Sequence, residues 1–128
     1  MNAQGEVLLL KRDKDVHCAD LWSFLGGKVE ANEMPLQAAI REFKEETQLS
    51  GKQWRHLGKT SHHYADRTLY FLFFVCFCPD ISQFHPESSS IWTKLENISD
   101  YPMPEANKKL VPMLKIPEVD DYLRQLII

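Results

Sequence analysis

No apolar run in this chain approaches the roughly 18 residues a membrane-spanning helix needs. The longest, Leu69 to Cys78, is read as a buried strand. No N-terminal segment resembles a signal peptide, so a soluble, cytoplasmic protein without a membrane partner is expected. An excess of one charge is also missing. The formal net charge of −3 offers no general attraction to nucleic acid polymers or anionic lipid, so a phosphate-bearing ligand must be met by local cations and bound metal. Cysteine is scarce: Cys18, Cys76 and Cys78 are an odd number without zinc-ribbon spacing. Cys76 and Cys78 would point to one side of a strand among aromatics, and buried thiols outside any mechanism are expected. Repeats and low-complexity tracts are absent. With 128 residues and 44% hydrophobic composition, the chain reads as one domain, 1–128, with a single core.

What is present is concentrated between Gly26 and Leu49, GGKVEANEMPLQAAIREFKEETQL. The spacing predicts a helix over Pro35 to Gln48, with proline tolerated in its first turn. Glu42, Glu45 and Glu46, at i, i+3 and i+4, share one helical face. Like charges at such spacing repel by a few tenths of a kcal/mol per pair unless a cation sits among them, and hard ions such as Mg²⁺ prefer oxygen ligands. The cluster therefore predicts its own counterion. Leu36, Ile40 and Phe43, at i, i+4 and i+7, form the expected apolar face roughly opposite, anchoring the helix. The plainer reading of this segment alone is an amphipathic surface helix with a solvated charged side.

The rest of the chain reads as strands at Glu6 to Lys11, Leu21 to Phe24, Trp54 to Ser61, Thr68 to Phe77 and Ile91 to Lys94. Helical spacing returns from Glu105 to Leu114 and from Glu118 to Ile127, interrupted by Pro112 and Pro117. Strands before and after a central helix imply a mixed sheet packed between helices.

Gly27, Glu33, Arg41, Glu42, Phe43, Glu45, Glu46, Gln48 and Leu49 stand at the places of the Nudix box, and only its last glycine, here Gln48, is missing. The chain resembles the Nudix hydrolases, which implies an α/β/α sandwich with a mixed β-sheet and hydrolysis of a nucleoside diphosphate linked to another group. By that resemblance Glu42, Glu45 and Glu46 are metal ligands together with the carbonyl of Gly26, whose missing side chain permits close approach. Mg²⁺ is the expected cofactor, with Mn²⁺ as an alternative. Arg41 would orient the carboxylates, and Glu33 would brace the loop before the helix. The general base or a further ligand would be Glu87, with Glu46 as the alternative base.

Beyond the box, the resemblance extends over nearly the entire chain toward the MutT type, pyrophosphohydrolases that cleanse oxidised guanine nucleotides such as 8-oxo-dGTP. Lys11-Arg12, His17, Trp22-Ser23-Phe24, Asp66-Arg67 and Tyr101 to Asn107 follow the family's order. Asn107 would read the base through its amide. Arg12, Lys28 and Arg67 would meet phosphate or nucleotide, Asp66 and His17 would make nearby polar contacts, and Phe24 would form the pocket wall. Solvated charges at Arg12 and Lys28, a core role for Phe24, an idle loop histidine at His17 and a polar helix residue at Asn107 are the plainer readings. Tyr64, Trp54 and Trp92 read as core rather than as a base-stacking trio. A small-molecule nucleotide is the expected partner, with the protein a monomer or homodimer. Alternatives are another dNTP, a nucleotide sugar, or a Nudix-fold binding module without catalysis.

Three further features depart from the family. Leu25 replaces a proline usual before Gly26, and Met34 stands where a capping hydroxyl is common. Nudix domains also carry an apolar strand ahead of the one at Glu6 to Lys11, and Met1 to Gly5 looks like the turn after it. Either the sheet does without that strand, another chain supplies it, or the true start lies upstream. Without it a sheet edge is left open.

Overall fold

The computed structural model describes residues 1–11, 20–86 and 88–114. Strand β1 is Glu6–Lys11, β2 Trp22–Ser23, α1 Pro35–Thr47, β3 Lys52–His63, β4 Thr68–Phe77 and β5 Ser90–Lys94. A 3-10 helix, Leu95–Asp100, and two short helices, α2 at Glu105–Lys108 and α3 at Val111–Leu114, follow. The helix expected over Glu105 to Leu114 is thus two pieces, because Pro112 has no amide to donate back across the junction. The helix expected over Glu118 to Ile127 lies outside the described residues, as do Arg12, His17, Cys18 and Glu87.

β1 is the middle of a three-stranded antiparallel sheet in the order β2-β1-β5, with Leu10 opposite both Ser23 and Ser90. Val7 and Leu9 turn to one side, and Leu9 is wholly buried against a cluster holding Ile98, Met103, Val75 and Leu114. β3 and β4 form a separate hairpin, closed by the Tyr64 amide donating to the Arg67 carbonyl at 2.7 Å. Two register irregularities both insert the extra residue in β3, so β4 runs regularly. A second cluster behind the hairpin packs Leu49, Cys76 and Cys78 against Phe43, Trp54, Phe84 and Trp92. The thiols Cys76 and Cys78 are free and buried, as their strand position implied.

The expected mixed sheet is present in two antiparallel parts among the described residues, joined by one parallel bridge between Asn2 and Cys78. Along the second edge of β4 no described strand is paired, and the chain meets it only where Met1 bonds to Cys76 and Cys78.

Helix α1 begins without a cap oxygen from Met34, which is exposed; the Gln37 side chain instead accepts from the Met34 amide at 2.8 Å. It ends at wholly buried Thr47, whose hydroxyl donates to the Phe43 carbonyl at 2.6 Å and accepts from the Leu49 amide at 3.1 Å. Gln48 then adopts the left-handed conformation, φ 65°, where glycine was missing from the pattern. The apolar face assigned to Leu36, Ile40 and Phe43 requires correction: Leu36 is 40% and Ile40 42% exposed, and Phe43 is half-buried. The side turned inward carries Ala38, Ala39, Glu42, Phe43 and Glu46, because small alanines let the helix lie close to its neighbours and leave room for the longer carboxylates. No helix of the described residues is long and apolar enough to cross a membrane.

Candidate active site

The loop from β2 to α1 is tied to the helix by Arg41. Its Nε donates to Glu33 Oε2 at 2.8 Å and its Nη2 to Glu33 Oε1 at 3.0 Å, a fork that fits a carboxylate in two places. Nη2 also donates to the Lys28 carbonyl at 3.1 Å, while Nη1 reaches Glu42 Oε1 at 2.9 Å and Glu45 Oε2 at 3.3 Å. Glu33 Oε1 additionally accepts from the Glu30 amide at 2.9 Å. The bonds from Arg41 first, then the Glu30 amide, pull the Glu33 carboxyl well below its ordinary range, to about 2. The same pairing, with Glu33 first and Glu42 second, raises the affinity of Arg41 for its proton.

Glu42 and Glu46 line a cavity of about 1110 Å³ bounded by α1, β1, the edge of β4 and helices α2 and α3. Gly26, Gly27, Lys28, Phe24 and Asn107 line it too. Glu45, with its side chain 59% exposed, does not. The three carboxylates therefore do not close into one cluster, and among the described residues no three acidic, histidine or cysteine side chains are gathered to hold an ion. The reason is angular and electrostatic. Glu45 and Glu46 diverge by about 100° on the helix, and Arg41 takes one oxygen each from Glu42 and Glu45. The other oxygen of each stays free of the guanidinium, so the donors that remain are hard carboxylate oxygens suited to Mg²⁺.

Gly26 borders the cavity. A side chain there would meet open space within 4 Å, whereas at Gly27 a Cβ would run into the carboxyl group of Glu42. The contact between Gly27 and Glu42 is a feature that spacing did not show; the only trace of it was the glycine's place in the box.

The remaining expected residues divide. Asn107, on α2, accepts from the Phe24 amide through Oδ1 at 3.0 Å, which orients its amide at the cavity and leaves Nδ2 as its donor. Phe24 is half-buried, its ring 5.0 Å from that of Phe73, so it is a core residue and a cavity wall at once. Asp66 and Arg67 are not brought to the cavity: they sit at the exposed tip of the β3-β4 hairpin, with the Arg67 guanidinium 5.7 Å from the Tyr64 ring centroid. Thr68, next to Arg67, is where the cavity lining along β4 begins. Tyr64, Trp54 and Trp92 are not a trio. Trp54 packs edge-on to Phe43 at 5.7 Å, Trp92 against Phe84 at 5.4 Å, and Tyr64 against His62 at 4.8 Å.

A helix whose arginine clamps its leading loop, beside a cavity edged by carboxylates and glycine, together with this α/β fold, defines a hydrolase of the Nudix type. The sequence model of the NUDIX domain matches residues 1–114, and the chain belongs to that family. It is 27% identical over 115 residues to the 8-oxo-dGTP diphosphatase of Escherichia coli (strain K12), covering 89% of each chain. It is 28% identical over 114 residues to the CTP pyrophosphohydrolase of the same organism, covering 87% of this chain and 81% of the relative. Among solved structures, MutT in a study of the Aliivibrio salmonicida and Vibrio cholerae proteins superposes with a TM-score of 0.65 at 27% identity, over 99% of this chain and 90% of that one.

Proposed function

We propose that this Nudix hydrolase is a metal-dependent nucleoside triphosphate pyrophosphohydrolase that converts 8-oxo-dGTP to 8-oxo-dGMP and pyrophosphate, a role in cleansing the nucleotide pool and so in DNA repair. The observation that carries the reading is the shared cavity, in which Glu42 and Glu46 face the same space as Asn107. A base held by an amide and a phosphoanhydride held near carboxylates need that juxtaposition. Glu42, Glu45, Glu46 and the carbonyl of Gly26 would hold the divalent ion, Mg²⁺ or Mn²⁺, with Glu87 as a further ligand. When bound, the ion neutralises phosphate oxygens and lowers the pKa of water.

The chain's own groups supply the rest. Arg41 fixes the Glu42 carboxyl and so sets the position of the acidic wall. Glu46 or Glu87 takes the proton of the attacking water; what supports Glu46 is its place on the cavity wall. Lys28 borders the same cavity and offers a cation to the phosphates. Asn107 offers its Nδ2 donor to an acceptor on the base, with Phe24 as the apolar wall beside it.

The test is a nucleotide screen with Mg²⁺ that reads pyrophosphate release. The expected result is a kcat/KM for 8-oxo-dGTP above that for dGTP and CTP, with Glu46→Gln lowering kcat about 100-fold or more if Glu46 is the base. Asn107→Ala should reduce turnover of 8-oxo-dGTP by about tenfold more than that of the other nucleotides. A second substrate, CTP, is favoured by the equal likeness to the CTP pyrophosphohydrolase. Highest kcat/KM for CTP, with Asn107→Ala affecting all nucleotides alike, would replace the first reading by this one. Absence of metal-dependent turnover with every nucleotide would leave a binding module instead.

A further inference from the structure

Helix α1 ends one residue after the acidic wall. Glu46 lines the cavity, and Thr47, which follows it, is a polar residue that is wholly buried and does not line it. The last carbonyls of a helix have no partner within it, and a buried one must find a donor elsewhere. The Thr47 carbonyl finds the His85 amide, which donates to it at 3.0 Å from the loop between β4 and β5.

The side chain of the same residue closes the helix end. Its hydroxyl donates to the Phe43 carbonyl at 2.6 Å and accepts from the Leu49 amide at 3.1 Å, spanning Gln48 in its left-handed conformation, φ 65°. A glycine adopts such a turn without strain; here the hydroxyl ties together the residues on either side of it. The direction of the Thr47 carbonyl follows from that turn, and so does the setting of Glu46 before it.

The loop that Thr47 holds is fastened a second time, where the Lys11 amide donates to the Ser89 carbonyl at 2.8 Å. Between these anchors the chain reaches the cavity wall at Ser88. One stretch of that wall is therefore tied to β1 at one end and to the last turn of α1 at the other.

We propose that Thr47 is a positioning residue for the hydrolysis, its hydroxyl fixing the end of α1 so that Glu46 and the wall at Ser88 keep one arrangement. The inference rests on the role proposed for Glu46 in the cavity. Valine has nearly the same shape as threonine but offers no oxygen to the buried Leu49 amide, so the turn loses its tie and the carbonyl that holds His85 loses its direction.

The test compares the full chain with Thr47→Val, Thr47→Ser and His85→Pro, assayed with Mg²⁺ and whichever nucleotide the wild type turns over fastest. Thr47→Val should lower kcat about tenfold or more and leave KM within about twofold, because Lys28, Phe24 and Asn107 border the cavity from other elements. Thr47→Ser keeps the hydroxyl and should restore kcat. His85→Pro deletes the amide that Thr47 holds without touching α1, so it should cause a similar loss, and the double variant should be no worse than either single one. It also carries the test if Thr47→Val misfolds. Amide exchange at His85 should quicken about tenfold in Thr47→Val, beyond any change shared by β1. A kcat within about twofold of the wild type in Thr47→Val or His85→Pro overturns the proposal. Losses that multiply in the double variant, or a serine that does not rescue, overturn it as well. Unchanged exchange at His85 in Thr47→Val breaks the link from hydroxyl to loop whether or not any nucleotide is turned over, which tells a failure of positioning from a failure of the nucleotide reading.

Discussion

Gly27 and Glu33 show how single positions govern the acidic wall. A Cβ at residue 27 would occupy the place of the Glu42 carboxyl, so Gly27→Ala should displace that carboxylate without removing it. The expected outcome is a fall in kcat of about 100-fold with the melting temperature little changed, checked by steady-state kinetics beside thermal melts. Glu33 carries a pH prediction. Its folded carboxyl is depressed to about 2 from the ordinary 4.5, so the folded state holds fewer protons than the unfolded chain in between. The stabilisation is present in full above the unfolded value and is lost as pH falls from about 4.5 through about 2. Following the Glu33 carboxyl carbon by NMR should give a midpoint near the lower figure; a midpoint at the ordinary value would remove the clamp as its cause.

In α1, both ends carry residues that local rules disfavour. Gln48 holds φ 65° as a non-glycine residue, at a cost on the order of 1 kcal/mol. Gln48→Gly should therefore raise stability by about that amount, less the bond its side chain makes to the Glu45 carbonyl at 3.1 Å. Chemical denaturation showing a clear loss would contradict the strain. Met34 supplies no cap oxygen, so Met34→Asp should stabilise the helix by about 1 kcal/mol, read from the same denaturation curves. Neither substitution touches the cavity wall, so activity should persist in both. Both helix ends were legible in the sequence because caps and left-handed positions are local matters. The buried face was not. Leu36 and Ile40 matched the apolar period, yet the helix turned Ala38, Glu42 and Glu46 inward because small residues and a neighbouring cavity outweighed hydropathy.

Across the fold, the stability of the three-stranded sheet rests on β1 and on Leu9 at its centre, which is wholly buried in the main cluster. Leu9→Ala should cost about 2–5 kcal/mol, a large share of what a domain of this size has, and equilibrium unfolding measures it directly. The halves of the sheet are joined by the bridge between Asn2 and Cys78 and by a shared core that packs Val7 and Leu9 with Val75. A mixed sheet with an open edge was the expectation from the turn-like residues at Met1 to Gly5, and its division into two parts was not legible there. Nor was its geometric outcome, an open β4 edge pointing into the cavity that also holds Glu42 and Glu46.

Element identity came from local order: short apolar runs set β1 and β4 to the residue, and the box set Glu33 in the loop ahead of the helix that carries Arg41, the two that the structure pairs. Those signals act over a few residues, where spacing and chain geometry suffice. Which residues share a space was settled only by packing. Asn107 and Phe24, 83 positions apart, are joined by one hydrogen bond at the cavity, while Asp66 and Arg67, equally plausible by order, are exposed at the hairpin tip and do not line it. Contacts between distant segments depend on how helices and sheets settle against one another, and no periodicity along a chain encodes that distance.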